Sequence, residues 1–229
     1  MKYIVTGCDK NTEWQLPWFV KNFRKHCTTG LKDKSVQLVI ADFGMSTDAY
    51  LMAQIDADHL IDVVSDGGWF NKVRLFESMH QFLGIESQFI WMDTDCEILS
   101  DPKGLFDLIE PNKITVCVDR PWTENGSPWT PQGNSGPWYN SGVVAWQGRP
   151  AILSYWLQEC QKGGHRGDQE ALYHFLNQDA GRRFTHIVEA PAKYNKLRLD
   201  IVQNRGPETP VVMHWTGQKG NDEIRRQMK

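Results

Sequence analysis

The chain has 229 residues, 40% of them hydrophobic and 23% charged, with a formal net charge of −3. That length fits one large domain or two small ones, and the apolar fraction can build a sizeable core. The charge gives no electrostatic case for a nucleic-acid or anionic-membrane partner, and no window approaches the roughly 20 apolar residues that a membrane span needs.

The N-terminal stretch "MKYIVTGCDK" carries too short an apolar patch to read as a signal peptide. The five cysteines are scattered, odd in number and never spaced C-x-x-C. They argue against a zinc site or a disulfide framework and fit a reducing, cytoplasmic setting.

In chain order, "KYIVTG" reads as a first strand ending in Thr6 and Gly7. "NTEWQLPWFVKNFRKHC" reads as a helix capped by Asn11 or Thr12, with Trp18, Phe19 and Phe23 on one face. "KSVQLVIADFG" is a second strand, "STDAYLMAQID" a helix capped by Ser46 or Thr47, and "HLIDVV" a third strand. "GWFNKVRLFESMHQFLG" places Phe70, Val73, Phe76, Met79 and Leu83 at helical spacing and stops at Gly84. "QFIWM" is a fourth strand. Repeated strand–helix alternation predicts an α/β fold with a mostly parallel sheet and helices on both faces. Ligands of such sheets sit beyond the carboxyl ends of the strands. Further on, "KITVCVD", "SGVVAW" and "VVMHW" read as strands, and "AILSYWLQEC" and "QEALYHFLNQ" as helices. The reading is one domain over residues 1–220 with a polar tail, 221–229, that is a surface helix or disordered.

The strand "QFIWM" runs straight into Asp93-Thr94-Asp95. Two carboxylates at i and i+2 share a face and can converge on one hard cation such as Mg²⁺ or Mn²⁺, which also compensates their charge. An exposed turn is the alternative. His214 ends the last apolar strand; its imidazole suits Mn²⁺ as a third ligand, or is structural. In the "WTGQKG" loop that follows, Gly217 and Gly220 would let backbone N–H groups approach a diphosphate and Lys219 would neutralise it. Asn140 and Ser141 either hydrogen-bond sugar hydroxyls or open the next strand as an Asx-turn. Asp168 and Gln169 stand where a helix begins, so Asp168 is either catalytic or an N-cap. Of the ten tryptophans, Trp122, Trp129 and Trp138 lie in the loop "RPWTENGSPWTPQGNSGPWYN". They either offer stacking faces or anchor the loop on the core.

Taken in order, "KYIVTG", "FNKVRLFE", "FIWMDTDCEIL", "YNSGVV", "GDQEAL", "PAKYN" and "VVMHWTGQKG" resemble glycosyltransferase family 8, the glycogenin-like, nucleotide-sugar-dependent transferases with the GT-A fold. The resemblance implies a single Rossmann-like GT-A domain. It implies Asp93, Asp95 and His214 as metal ligands for Mn²⁺ or Mg²⁺. Thr6 and Gly7 fall at the nucleotide base, Lys72 and Thr94 beside the donor, and Asn140 and Ser141 beside the donor sugar. Asp168 and Gln169 fall beneath the anomeric carbon, and Gly217 and Lys219 form the diphosphate loop. The chain departs from the family in that loop: Lys219 follows His214 by five residues rather than six, and Gly220 stands where the family has Pro-Trp. The expected activity is transfer of a hexose from a nucleoside diphosphate sugar, UDP-linked, to a glycan or glycoconjugate hydroxyl, with retention of anomeric configuration. The alternatives are a metal-dependent nucleotidyltransferase and a non-catalytic carbohydrate-binding module that uses the tryptophans.

Overall fold

The computed structural model describes residues 1–27, 35–63, 68–125, 136–205 and 209–229. The first half alternates as the sequence predicts: β1 (Lys2–Cys8), α1 (Leu16–Cys27), β2 (Gln37–Asp42), α2 (Thr47–Asp56), β3 (His59–Asp62), α3 (Asn71–Leu83) and β4 (Gln88–Met92). The short β5 (Cys96–Ile98), β6 (Ile114–Val118), α4 (Arg120–Asn125) and β7 (Tyr139–Gln147) follow. Then come α5 (Ala151–Gln161), α6 (Asp168–Asn177), α7 (Gly181–His186), β8 (Ile187–Glu189), β9 (Lys196–Leu197), α8 (Arg198–Val202), β10 (Val212–His214) and α9 (Gly217–Gln227).

Local chemistry sets several of these boundaries. Ser46 caps α2, its side chain accepting the Ala49 N–H at 3.3 Å. Gly84 ends α3 at a φ of +92°, where a side chain would be strained. Strands β1 and β4 alternate between two apolar layers. Ile4, Ile90 and Met92 face one layer with Trp18, Phe19 and Phe23 of α1. Tyr3, Val5, Phe89 and Trp91 face the other, with α3, α5 and α6. Both faces are covered, so these strands read as nearly unbroken apolar runs.

Among the described residues the central sheet has seven strands in the order β3-β2-β1-β4-β7-β6-β8. All its pairings are parallel except those of β7, which runs antiparallel to both β4 and β6. Strand order therefore reverses between β1 and β4, with α1 on one face and α3 on the other, which makes their carboxyl ends a topological switch point. Because β7 runs the other way, its first residues arrive at the same edge. A bulge there moves the β6 pairing from Val144 opposite Val116 to Asn140 opposite Cys117 and re-aims residues 140 to 142. A second, three-stranded sheet, β5-β10-β9, pairs His214 antiparallel with Cys96.

The polar C-terminus, expected as a surface helix or disordered, is the last part of helix α9, which docks on the domain. It buries Ile224, Gln227 accepts from the Trp18 indole at 3.0 Å, and Arg225 lies 4.3 Å from the Trp14 ring centroid. All five cysteines are free and buried, and no helix among the described residues is long and apolar enough to cross a membrane.

Phe76 sits at the middle of the second layer, its ring within 5.9 Å of Trp91, Trp146 and Trp156. Phe76→Ala is expected to cost about 3–5 kcal/mol of stability, measured by urea unfolding.

Candidate active site

At the β1/β4 switch point a cleft of about 510 Å³ opens. Gly7, Cys8 and Asp9 form one wall, Phe43 and Trp91 supply aromatic surface, and Lys72, Asp93, Thr94 and Asp95 form the floor. Gly217 and Asn221 of α9 close the far side. Gly7 is needed where it stands, because a Cβ would lie 2.8 Å from the Ala41 carbonyl oxygen.

Asp93 and Asp95 face different partners. Asp93 Oδ1 accepts the Trp91 indole N–H at 2.6 Å and lies 3.3 Å from Lys72 Nζ. Asp95 Oδ1 is 3.1 Å from His214 Nε2. The β5–β10 pairing places His214 there, and the Trp215 N–H donates to the Asp95 carbonyl at 3.0 Å. The imidazole lies flat against Gly142, where a Cβ would be 2.1 Å from His214 Cε1, so only glycine fits. Burial opposes a charge on His214, and Asp95 outweighs it, raising the imidazole pKa above its usual value.

Lys72 is the centre of charge compensation. Its ammonium lies 3.0 Å from Asp168 Oδ2 and 3.3 Å from Asp93 Oδ1, and donates to Ser141 O and Oγ at 3.2 Å. Burial works against its charge, but Asp168 and Asp93 more than offset it, and its pKa lies above that of a free lysine. Burial also pushes the Asp168 carboxyl up while Lys72 draws it back. Asp168 is not the cap of α6. Gly167 holds that position, and the Asp168 carboxylate turns to Lys72 instead. The Trp156 indole N–H donates to the Asp168 backbone carbonyl at 2.7 Å, which fixes the start of α6.

Asp93, Thr94, Asp95, Lys72, Gly7 and Gly217 thus line one cleft, with His214, Asn140, Ser141, Asp168 and Gln169 packed around its floor. Thr6 is fully buried, so the wall of the cleft begins at Gly7. The Thr94 hydroxyl donates to Gln15 Oε1 at 2.6 Å, and Gln15 Nε2 donates to Asn221 Oδ1 at 2.9 Å, tying the D-x-D turn to α9. Lys219 is exposed on the first turn of α9 and does not line the cleft. Gly220 serves packing rather than an anion, since a Cβ would lie 1.9 Å from the Trp215 carbonyl oxygen. Trp138 is buried and stacks on Tyr173 at 4.0 Å, with Trp122 edge-on at 5.2 Å, so these two anchor the loop. Trp129 lies outside the described residues.

Sequence reasoning missed Asp119 and Asn195. Asp119 accepts from Asn140 Nδ2 at 3.1 Å and Gln169 Nε2 at 3.0 Å, and Asn195 lies between Asn140 and His214. The bonds from Asn140 and Asn195 join residues up to 55 positions apart, and no local pattern marks them. Gln15, Phe43, Asn71 and Asn221 of the cleft were missed for the same reason.

The donor set fits a divalent cation. Asp95 and His214 present an oxygen and a nitrogen at one point, and Asp93 Oδ2 accepts no hydrogen bond from the described residues. The Cys96 Sγ lies within 4.8 Å of the same point, but it donates to the Gly142 carbonyl, and burial holds its pKa well above the usual thiol value.

No family model and no curated sequence matches the chain. Solved structures do. The galactosyltransferase LgtC, in complex with donor and acceptor sugar analogues, superposes with a TM-score of 0.67 at 13% identity, covering 99% of this chain and 94% of that one. The chain has a glycosyltransferase fold. The bifunctional glycosyltransferase WbbM matches with a TM-score of 0.68 at 10% identity over 94% of this chain and 45% of WbbM. Mouse xyloside xylosyltransferase 1 matches with 0.56 at 16% identity over 93% and 97%. At these identities the likeness is one of fold, and it is the α/β GT-A architecture expected from the sequence.

The buried Lys72–Asp168 pair gives a stability test. Lys72→Met leaves a buried carboxylate without its counter-charge and is expected to cost about 3–5 kcal/mol. The double variant Lys72→Met/Asp168→Leu should recover part of that loss. Chemical denaturation of both variants measures it.

Proposed function

We propose that the protein is a metal-dependent glycosyltransferase that moves a hexose from a UDP-sugar to a glycan or glycoconjugate hydroxyl, with retention of anomeric configuration. The observation that carries the reading is the Asp95–His214 contact beside a cleft at the sheet's switch point, which Asp93 and Asp95 both line. The cleft lies within the volume range of small-molecule sites. The glycosyltransferase fold of the matching structures supports the same reaction class.

In this reading Asp95, His214 and Asp93 hold Mn²⁺ or Mg²⁺; the imidazole favours Mn²⁺. Bound there, the cation would neutralise the diphosphate and stabilise the charge that develops on the leaving group. The chain's own residues do the rest. Phe43 offers a flat apolar face at the mouth of the cleft beside Gly7, suited to a base. Lys72 adds a fixed positive charge at the floor that Asp168 and Asp93 keep protonated. Gln169 and Ser141, locked together by the Ser141 N–H to Gln169 Oε1 bond at 3.3 Å, present polar groups toward the sugar. Gly217 gives α9 an N-terminus that faces the cleft, and its unpaired backbone N–H groups favour an anion.

UDP affinity measured by calorimetry with and without Mn²⁺ tests the reading, with UDP release from UDP-sugars as the activity readout. Asp95→Asn and His214→Ala are expected to keep the fold and to lose the Mn²⁺-dependent part of UDP binding, about 10-fold or more. Unchanged Mn²⁺-linked affinity in both variants, or pyrophosphate among the products, would sink the assignment.

A further inference from the structure

Asp93 stands one residue beyond the end of β4, and Trp91 lies two residues before it, on the same face of the strand. The Trp91 indole is 2% exposed and wedged in the second apolar layer, its ring 5.3 Å from that of Phe76 and 6.2 Å from that of Phe43. Its backbone is paired on both sides, with Val5 of β1 and Val144 of β7. Strand and ring are therefore both held. An indole N–H can only donate, and here it donates to Asp93 Oδ1 at 2.6 Å.

We propose that Trp91 is a positioning residue: its indole N–H occupies Oδ1 of Asp93 and so holds the carboxylate with Oδ2 free for a cation in the cleft. Oδ2 accepts no hydrogen bond from the described residues. A carboxylate with both oxygens bonded to protein must break a bond before it can take a cation. One with neither oxygen bonded turns freely about its Cβ–Cγ bond, and ordering it then weakens binding. A single fixed donor avoids both costs.

Lys72, the other group at Oδ1, does not hold the carboxylate by itself. Its ammonium has three hydrogens and four oxygens around it. Asp168 Oδ2 lies at 3.0 Å, Ser141 O and Oγ at 3.2 Å, and Asp93 Oδ1, the farthest of the four, at 3.3 Å. An ammonium on a flexible stem can turn among such partners, whereas the indole N–H has one direction fixed by its ring. The bond also serves Trp91, because a buried N–H left without a partner costs stability. A packing role and a positioning role thus share one contact, and they differ in what is lost when the N–H is removed.

The proposal rests on the metal reading above for its purpose, but the hold on Asp93 is measurable without a metal. Trp91→Phe keeps an aromatic ring in the layer and removes the N–H. EPR of free Mn²⁺ gives the metal affinity, calorimetry gives UDP affinity without metal, and thermal melting reports the fold. The folded variant is expected to bind Mn²⁺ about 10-fold or more weakly, with metal-free UDP affinity near wild type. A packing role alone predicts a lower melting temperature with Mn²⁺ affinity unchanged, and that result overturns the proposal. Indole ¹H–¹⁵N NMR of the full-length protein, with Trp91 assigned through its sequence neighbours, reads the bond itself. The Trp91 N–H should exchange slowly with solvent and move upfield in Asp93→Asn, where the carboxylate is lost. Rapid exchange in wild type, or no response to Asp93→Asn, overturns the proposal even if Trp91→Phe does not fold. A slowly exchanging, Asp93-dependent N–H in a protein that binds no Mn²⁺ supports the hold on Asp93 and overturns the metal reading instead.

Discussion

Three carboxylates meet where β4 ends, and the compensation of their charge organises everything around them. Asp93 and Asp168 share one ammonium, that of Lys72, at 3.3 and 3.0 Å. Asp95 is matched by His214. Buried ion pairs of this kind add little net stability, because apolar residues of similar volume fill a core at least as well. Their place on the floor of a cleft is in keeping with the binding role proposed above rather than with folding alone. The compensation is also incomplete. Asp93 and Asp95 remain partly open to the cleft, where the charge of a divalent cation would complete it.

The fold brings these groups together through three devices. Reversal of strand order between β1 and β4 opens the crevice. The antiparallel run of β7, with its bulge, delivers Asn140, Ser141 and Gly142 to the same edge, and the Asp93 N–H donates to the Gly142 carbonyl at 2.8 Å. The small β5–β10–β9 sheet then lays the His214 imidazole against Gly142. Gly142 joins two of these devices, since a side chain there would push the histidine away from Asp95.

Much of this was legible in the sequence where a local pattern carried it. The apolar run into Asp93 and Asp95 marked both the buried strand and the edge where the cleft opens, and helical spacing in residues 70 to 83 placed Lys72 on α3. The reading of Asp168 divided between cap and catalytic group. The structure makes it the buried partner of Lys72, which the helix-start pattern alone does not show. Short elements were missed, among them β5, β8, β9 and α8, because none is long enough to show a period. Asp119 and Asn195 were missed because their meaning lies in hydrogen bonds to distant residues. Gly220 was read as a phosphate glycine although its role is close packing against Trp215, which only the path of the chain reveals.

The central claim is that Asp93, Asp95 and His214 form one cation site serving a nucleoside diphosphate. The most direct test is an anomalous-scattering map from crystals grown with Mn²⁺ and UDP. The account predicts a single strong Mn²⁺ peak bonded to Asp95 and His214, with Asp93 beside it and the diphosphate completing its coordination. A peak elsewhere on the molecule, or UDP bound in the cleft with no cation between its phosphates and Asp95, would contradict it.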